Sequence, residues 1–388
     1  MRWSAFLSLA FLTLLATPVR AAETPDFYAP RAGLDADTVL YLDAWSGDAN
    51  AVERLRARLS QTPAPAKAYD GWSFLCNFEY HSAQYAKAIP DCEKAIALNA
   101  DGGDANTLAI VTLVAGQPAP RAYGSARVPV TSGVHVPVKA GGYEGTAIAD
   151  TGAQISVMMQ SVAKAAHVKM LGASRDVGST TAKISGQIGL IPEVKLGEAV
   201  VKNVPVLVLP DAQLTITDGK KSVSLPFILS LYALADFGRI AWLDHDKWLA
   251  LGSDAPASFP GAVPMIWYSD GIAVPLEGPG GRRAAQFDSG ADVSYLYENA
   301  VPLVSDAARA TIIQTKRKIG GVGGVVTEDI RRFPTVALTL AGQPLVLKNA
   351  DIAKEPDSGE AARLGEDVLQ TYSAVVFDFG AMAFSVSP

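Results

Sequence analysis

The chain has 388 residues, 49% hydrophobic and 19% charged, a balance that excludes disorder as the default state and leaves room for two or three domains with sizeable cores. Its 33 basic and 39 acidic side chains give a net charge of -6, so a broad basic face for nucleic acid is not expected.

Met1-Arg2-Trp3 is a charged start, Ser4 to Val19 an apolar run, and Val19-Arg20-Ala21 an Ala-x-Ala-like cleavage site. Residues 1–21 therefore read as a signal peptide. The run contains Pro18 and is short for a bilayer span, so the sequence predicts an exported protein, periplasmic or secreted, in preference to one tethered by an uncleaved N-terminal segment. In an oxidising compartment Cys76 and Cys92, the two cysteines of the chain, are expected to form one disulfide.

Residues 22–118 read as helical. Asp35 to Leu59 predicts a helix pair broken at Gly47-Asp48. Trp72, Leu75 and Cys76 fall on one face of a further helix, and Ala88, Cys92 and Ala95 on one face of the next. Asn106 to Val114 predicts a closing helix. The central pair, with small residues at Ala88 and Ala95, resembles a single tetratricopeptide-type hairpin, although Cys92 takes a usually aromatic position and Ala100 a usually proline one. Such a domain would serve as a stabilising cap or propeptide, or would dock a protein partner.

Gly116 to Arg121 separates the helices from a region of strand signals, and Ser253 to Pro264, with Pro256, Pro260 and Gly261, divides that region into 127–252 and 262–388. Val204 to Leu209, Trp248 to Leu251 and Val336 to Leu340 are β-branched or apolar runs bounded by turns. Each part carries one copy of a short motif: Asp150-Thr151-Gly152-Ala153 in the first and Asp288-Ser289-Gly290-Ala291 in the second. Pro137 lies 13 residues before Asp150, and Pro275 lies 13 residues before Asp288. Gly186 and Gly324 each lie 36 residues after their Asp, in the turn-rich segments Ser179 to Gly189 and Ile319 to Gly324, and each is expected at a hairpin tip. Asp244 and Asp378 close the two parts 94 and 90 residues after Asp150 and Asp288. This self-similarity is too long for a solenoid repeat and fits two copies of a small β domain.

At these residues, roughly from Arg127 to Pro388, the chain resembles the pepsin and retropepsin class of aspartic peptidases, with the alanine after the glycine nearer the retropepsin branch. The resemblance implies a mainly β, bilobal aspartic-protease fold in which two pseudo-symmetric lobes, 127–252 and 262–388, bring Asp150 and Asp288 together as the catalytic dyad. It implies that Thr151 and Ser289 cross-bond the two loops and that Gly152 and Gly290 support the turns. It also implies that glycine-tipped hairpins, marked by Gly186 and by Gly320, Gly321, Gly323 and Gly324, act as flaps. In the segment that passes beneath each catalytic loop, Arg363-Leu364-Gly365 matches the family's apolar-apolar-Gly pattern in part, and Ser230 replaces the glycine in the first lobe. A hydroxymethyl group there predicts a modest local shift or an extra hydrogen bond.

Two carboxylates held about 3 Å apart share one proton, and the monoprotonated pair can take a proton from a water while donating another to a carbonyl oxygen. The function expected is an exported aspartic endopeptidase acting on polypeptides without cofactor or metal. The alternative is a noncatalytic exported binding or scaffold protein that keeps the fold and docks through its helices, and a third reading has the helical region block the cleft. The four histidines, His81, His135, His167 and His245, have no ligand spacing. Asp244-His245-Asp246 reads as a hairpin turn, since no Gly-x-Ser-x-Gly elbow accompanies it. Lys316-Arg317-Lys318 is too short for nucleic acid.

Overall fold

In the computed structural model the described residues are 28, 31–61, 68–100, 102–131, 133–178, 183–218, 221–268, 271–321, 324–354 and 359–388. The expected signal peptide, residues 1–21, lies outside them. The fold is mainly β, with five helices preceding the strands among the described residues.

Helices α1 (Ala36–Trp45) and α2 (Ala49–Leu59) begin at aspartate caps: Asp35 accepts from Thr38 N at 2.9 Å, and Asp48 accepts from Asn50 N at 2.8 Å. Helices α3 (Ala68–His81) and α4 (Tyr85–Leu98) are joined by the Cys76–Cys92 disulfide, and α5 (Asp104–Val114) starts two residues before the expected Asn106. The helices do not stand apart from the strands. Tyr80, Tyr85, Val111 and Val114 enter the same apolar core as the first β half, while Leu42 of α1 packs on Ile266, Tyr268 and Ala273 of the second. Among the described residues, no helix is long and apolar enough to cross a membrane.

Each β half is built on an eight-stranded sheet, and seven strands of each use the same pairings, while the eighth joins at a different edge, Arg121–Tyr123 beside Ala199–Leu209 in the first and Ile266–Tyr268 beside Gly271–Gly278 in the second. In the first, strand His135–Ala140 pairs antiparallel with Tyr143–Asp150, with Val136 opposite Ala147 and Pro137 opposite Thr146. In the second, Gly271–Gly278 pairs with Gly281–Phe287, with Val274 opposite Ala285 and Pro275 opposite Ala284. The matched prolines thus hold equivalent register positions. A short strand then runs antiparallel to the segment beneath the loop, Ser156–Met159 beside Phe227–Ser230 in one half and Tyr295–Tyr297 beside Ala362–Leu364 in the other. Long hairpins extend from both sheets: Lys169–Gly178 with Lys183–Leu196, and Ile313–Gly321 with Gly324–Leu340.

A third sheet of six strands ties the halves together. Its order is Val263–Pro264, Ala383–Ser387, Ala374–Asp378, Arg239–Leu243, Trp248–Leu251 and Ala126–Pro129. The junction is the antiparallel ladder between Arg239–Leu243 and Ala374–Asp378. Trp242 meets Phe377 edge-on at 5.9 Å, and Phe377 meets Phe287 edge-on at 5.0 Å, so this sheet packs directly under the second motif. Asp244-His245-Asp246 forms the turn between two of its strands with all three residues at positive φ, as the turn reading expected.

Candidate active site

Asp150 is the last residue of strand Tyr143–Asp150, and Asp288 directly follows strand Gly281–Phe287. Each strand has a parallel partner from the end of its own half. Ser230 lies opposite Asp150 in one ladder, and Leu364 lies opposite Phe287 in the other. Two strands parallel at this point leave the loop between them as the place where both chains diverge, so the motif is exposed to the opposite half rather than closed into a hairpin. Both loops are anchored from below, since Leu231 N donates to Ala153 O at 3.0 Å and Glu366 N donates to Ala291 O at 2.8 Å.

The loops meet. Thr151 N donates to Ser289 Oγ and Ser289 N to Thr151 Oγ1, both at 2.9 Å; Thr151 Oγ1 donates to Phe287 O at 3.1 Å and Ser289 Oγ to Ala149 O at 2.7 Å. All four bonds are buried and link residues 136 to 140 positions apart. The Asp150 and Asp288 carboxyls are both fully buried and approach one another where the loops meet, each lying against the glycine of the opposite motif. A Cβ on Gly152 would lie 2.3 Å from Asp288 Cγ, and one on Gly290 would lie 2.5 Å from Asp150 Cγ. The glycines are therefore demanded by the close approach of the opposite carboxyl. Gly152 N donates to Asp150 Oδ1 at 2.7 Å, while Asp150 Oδ2 and Asp288 Oδ1 are buried without a hydrogen-bond partner among the described residues.

Burial dominates the electrostatics. It raises the Asp150 carboxyl well above the ordinary carboxylate value, and the charge of Asp288 adds to the effect. Asp288 is raised by burial as well, but there the guanidinium of Arg363 opposes the shift. The pair can hold one proton between two oxygens that face no other partner, which is the arrangement needed to deprotonate one group and protonate another in the same site.

Ser230 is accommodated by hydrogen bonding. Ser230 N and Ser230 Oγ each lie 3.2 Å from Ser156 Oγ. In the second half Gly365 N donates to Ser294 Oγ at 2.9 Å, and a Cβ there would approach Ala291 O to 2.5 Å, so glycine is needed only on that side.

The hairpin glycines are distributed differently from expectation. Gly186 is not at a tip: it lies inside strand Lys183–Leu196 opposite Arg175, where a Cβ would come within 2.6 Å of Leu207 Cδ1. Its missing side chain is a packing requirement, and the turn-rich reading of Ser179 to Gly189 ran too far into the strand. Gly320 and Gly321 end the strand Ile313–Gly321, and Gly321 pairs with Gly324 at the start of the next strand. Gly323 lies outside the described residues.

Sequence reasoning missed the polar cluster beneath Asp288. Arg363, Gln286 and Glu360 are buried there, with Arg363 Nη2 donating to Gln286 Oε1 at 2.6 Å. The signal was present as the arginine in an otherwise apolar slot before Leu364-Gly365. Also missed was a crevice beside the first loop, where His81, Tyr80 and Tyr85 of the helices face Gln154, Ser230 and Tyr232. Among the described residues no group of three or more metal-ligating side chains is brought together.

A protein-family model described as aspartyl protease matches residues 136–225, which include Asp150-Thr151-Gly152-Ala153. No curated protein matches the chain. The chain thus carries an aspartyl-protease-like domain in its first β half.

Proposed function

We propose that this chain is an exported aspartic endopeptidase, in which the two β halves are the lobes of a duplicated protease and Asp150 and Asp288 form its dyad. The observation that carries the reading is the approach of the two carboxyls within the reciprocal hydrogen bonds of Thr151 and Ser289. With one proton on the pair, the ionised carboxylate takes a proton from a water as its oxygen attacks the peptide carbonyl, and the protonated carboxyl donates to the carbonyl oxygen. A gem-diol results. Return of the first proton to the amide nitrogen and of a diol proton to the second carboxylate breaks the C–N bond and restores the pair. The low dielectric of the buried site keeps the proton shared, since two carboxylates this close cannot both ionise cheaply.

The test is cleavage of an unfolded protein substrate by the mature chain. Asp150→Asn and Asp288→Asn should each abolish hydrolysis while leaving the fold intact, and the double variant should be no worse than either, because the two groups act as one device. Activity should be bell-shaped in pH, insensitive to chelators, and blocked by a statine-type mimic of the gem-diol. Retained cleavage in either asparagine variant would remove the dyad mechanism. No cleavage by the intact protein, before or after N-terminal trimming, would leave a binding module.

A further inference from the structure

The two carboxyls sit on equivalent strands but in unequal surroundings. Beneath Asp150, the apolar Ile148 and Ile228 face each other across the parallel ladder. In the corresponding ladder beneath Asp288 the facing residues are Gln286 and Arg363. Arg363 is 4% exposed. Its Nη1 reaches Asp288 Oδ2 at 3.4 Å, while Nη2 bonds Gln286 Oε1 at 2.6 Å and lies 3.9 Å from Glu360 Oε1. The remaining titratable neighbours are Tyr295 and Tyr297, whose hydroxyls are 3.3 Å apart on strand Tyr295–Tyr297, with Arg317 over the Tyr295 ring. Asp150 faces the cluster from across the dyad.

A buried guanidinium is costly, and a well-packed apolar pair in its place is often neutral or stabilising. The first half uses that cheaper arrangement at the same place. The one carboxyl of the dyad that Arg363 contacts is Asp288, and the guanidinium cannot lose its charge. We infer that Arg363 is a positioning residue that fixes the direction of proton flow, making Asp288 the ionised member that takes the proton from water and Asp150 the protonated member that donates to the carbonyl oxygen. Glu360 shares the guanidinium but through the other nitrogen and at the longer distance, so the field at Asp288 remains positive. This assignment rests on the peptidase reading for its chemistry, while the asymmetry itself can be measured without any substrate.

The test follows the carboxyl carbons of the intact protein by NMR, with ¹³C-labelled aspartate and resonances assigned from the two asparagine variants. In the wild type, the first proton lost from the pair should register at Asp288. In the double variant Gln286→Ile/Arg363→Ile, which copies the Ile148 and Ile228 pair, that step should move up by about one pH unit or more and lose its preference for Asp288. Arg363→Lys, which keeps the charge, should stay close to the wild type. The acid limb of kcat/KM should move by the same amount, with KM unchanged. Ionisation beginning at Asp150 in the wild type, which needs no variant to fold, would overturn the inference, as would an unmoved first step in the isoleucine pair. Absence of cleavage with the titration as expected would instead sink the peptidase reading and leave the asymmetry standing.

Discussion

Thr151 and Ser289 exchange backbone-to-hydroxyl hydrogen bonds at 2.9 Å in both directions, so each loop is held by a residue that belongs to the other half of the chain. The second pair of bonds, to Phe287 O and Ala149 O, extends the hold to the strands that deliver the two carboxyls. Neither loop can shift without breaking contacts made by both.

Ser289→Ala removes one donor and one acceptor and leaves Thr151 N and Ala149 O buried without partners. The expected cost is about 2–4 kcal/mol, read from denaturant unfolding. Ser289→Thr, which restores the motif of the first half, should recover most of it. Equal stability of the alanine and wild-type proteins would show that these bonds are not holding the halves.

Gly152→Ala and Gly290→Ala should fold and yet lose activity by about 10²-fold, because the new methyl group displaces the opposite carboxyl rather than the core. Steady-state cleavage together with far-ultraviolet circular dichroism separates the two effects. Alanine at Gly186 should act in the opposite sense, lowering stability through its clash with Leu207 and Leu209.

Replacing Cys76 and Cys92 together with alanine should cost about 3 kcal/mol, since the link closes a short loop between α3 and α4. Peptide mapping of the exported protein should recover the linked pair, with a mature N-terminus at Ala22. The loss should extend beyond the helices, because Cys76, Tyr80 and Tyr85 share their apolar core with the first β half. A variant in which the helices unfold well before the strands would contradict that continuity.

Asp246, in the turn of the six-stranded sheet, lies beside Glu366, whose carboxylate accepts from Gly133 N at 3.3 Å and Gln370 Nε2 at 2.7 Å. Burial, then the charge of Glu366, pushes the Asp246 carboxyl up to about 8. The folded protein therefore retains a proton that the unfolded chain has already released, and this contribution to stability, complete below the unfolded value of 3.8, is lost as pH rises toward about 8. The slope is on the order of 1 kcal/mol per pH unit. Asp246→Asn should flatten it and be the more stable protein near neutral pH, measured by urea midpoints between about pH 5 and about pH 8. An unchanged slope would place the titration elsewhere.

The motif pair, the proline register and the helix breaks were legible because each rests on local chemistry: Asp-(Thr/Ser)-Gly turns, matched prolines, and aspartate caps at Asp35 and Asp48. Gly186 was misread because a glycine gives the same signal whether it turns a chain or makes room for Leu207, and only the neighbouring strand distinguishes the two. Arg363 and Glu360 were missed for the opposite reason. A charged residue in a strand normally points to solvent, so the arginine in an apolar slot marked the place without revealing that Gln286 and Asp288 lie beside it. The Asp246–Glu366 contact joins residues 120 positions apart across the junction of the halves, beyond the reach of any periodicity.

The six-stranded sheet bears on how the molecule is held as one object. Its two halves are joined covalently by a single passage through residues 252–263, and side by side by the five-pair ladder from Arg239 opposite Asp378 to Leu243 opposite Ala374. Such a ladder, backed by the Trp242, Phe377 and Phe287 rings, is the kind of contact that otherwise joins separate subunits. The passage then acts as a tether that supplies an effective concentration on the order of millimolar. Cutting it would turn an intramolecular docking step into an association equilibrium, and the integrity of the paired loops would come to depend on how much of each fragment is present.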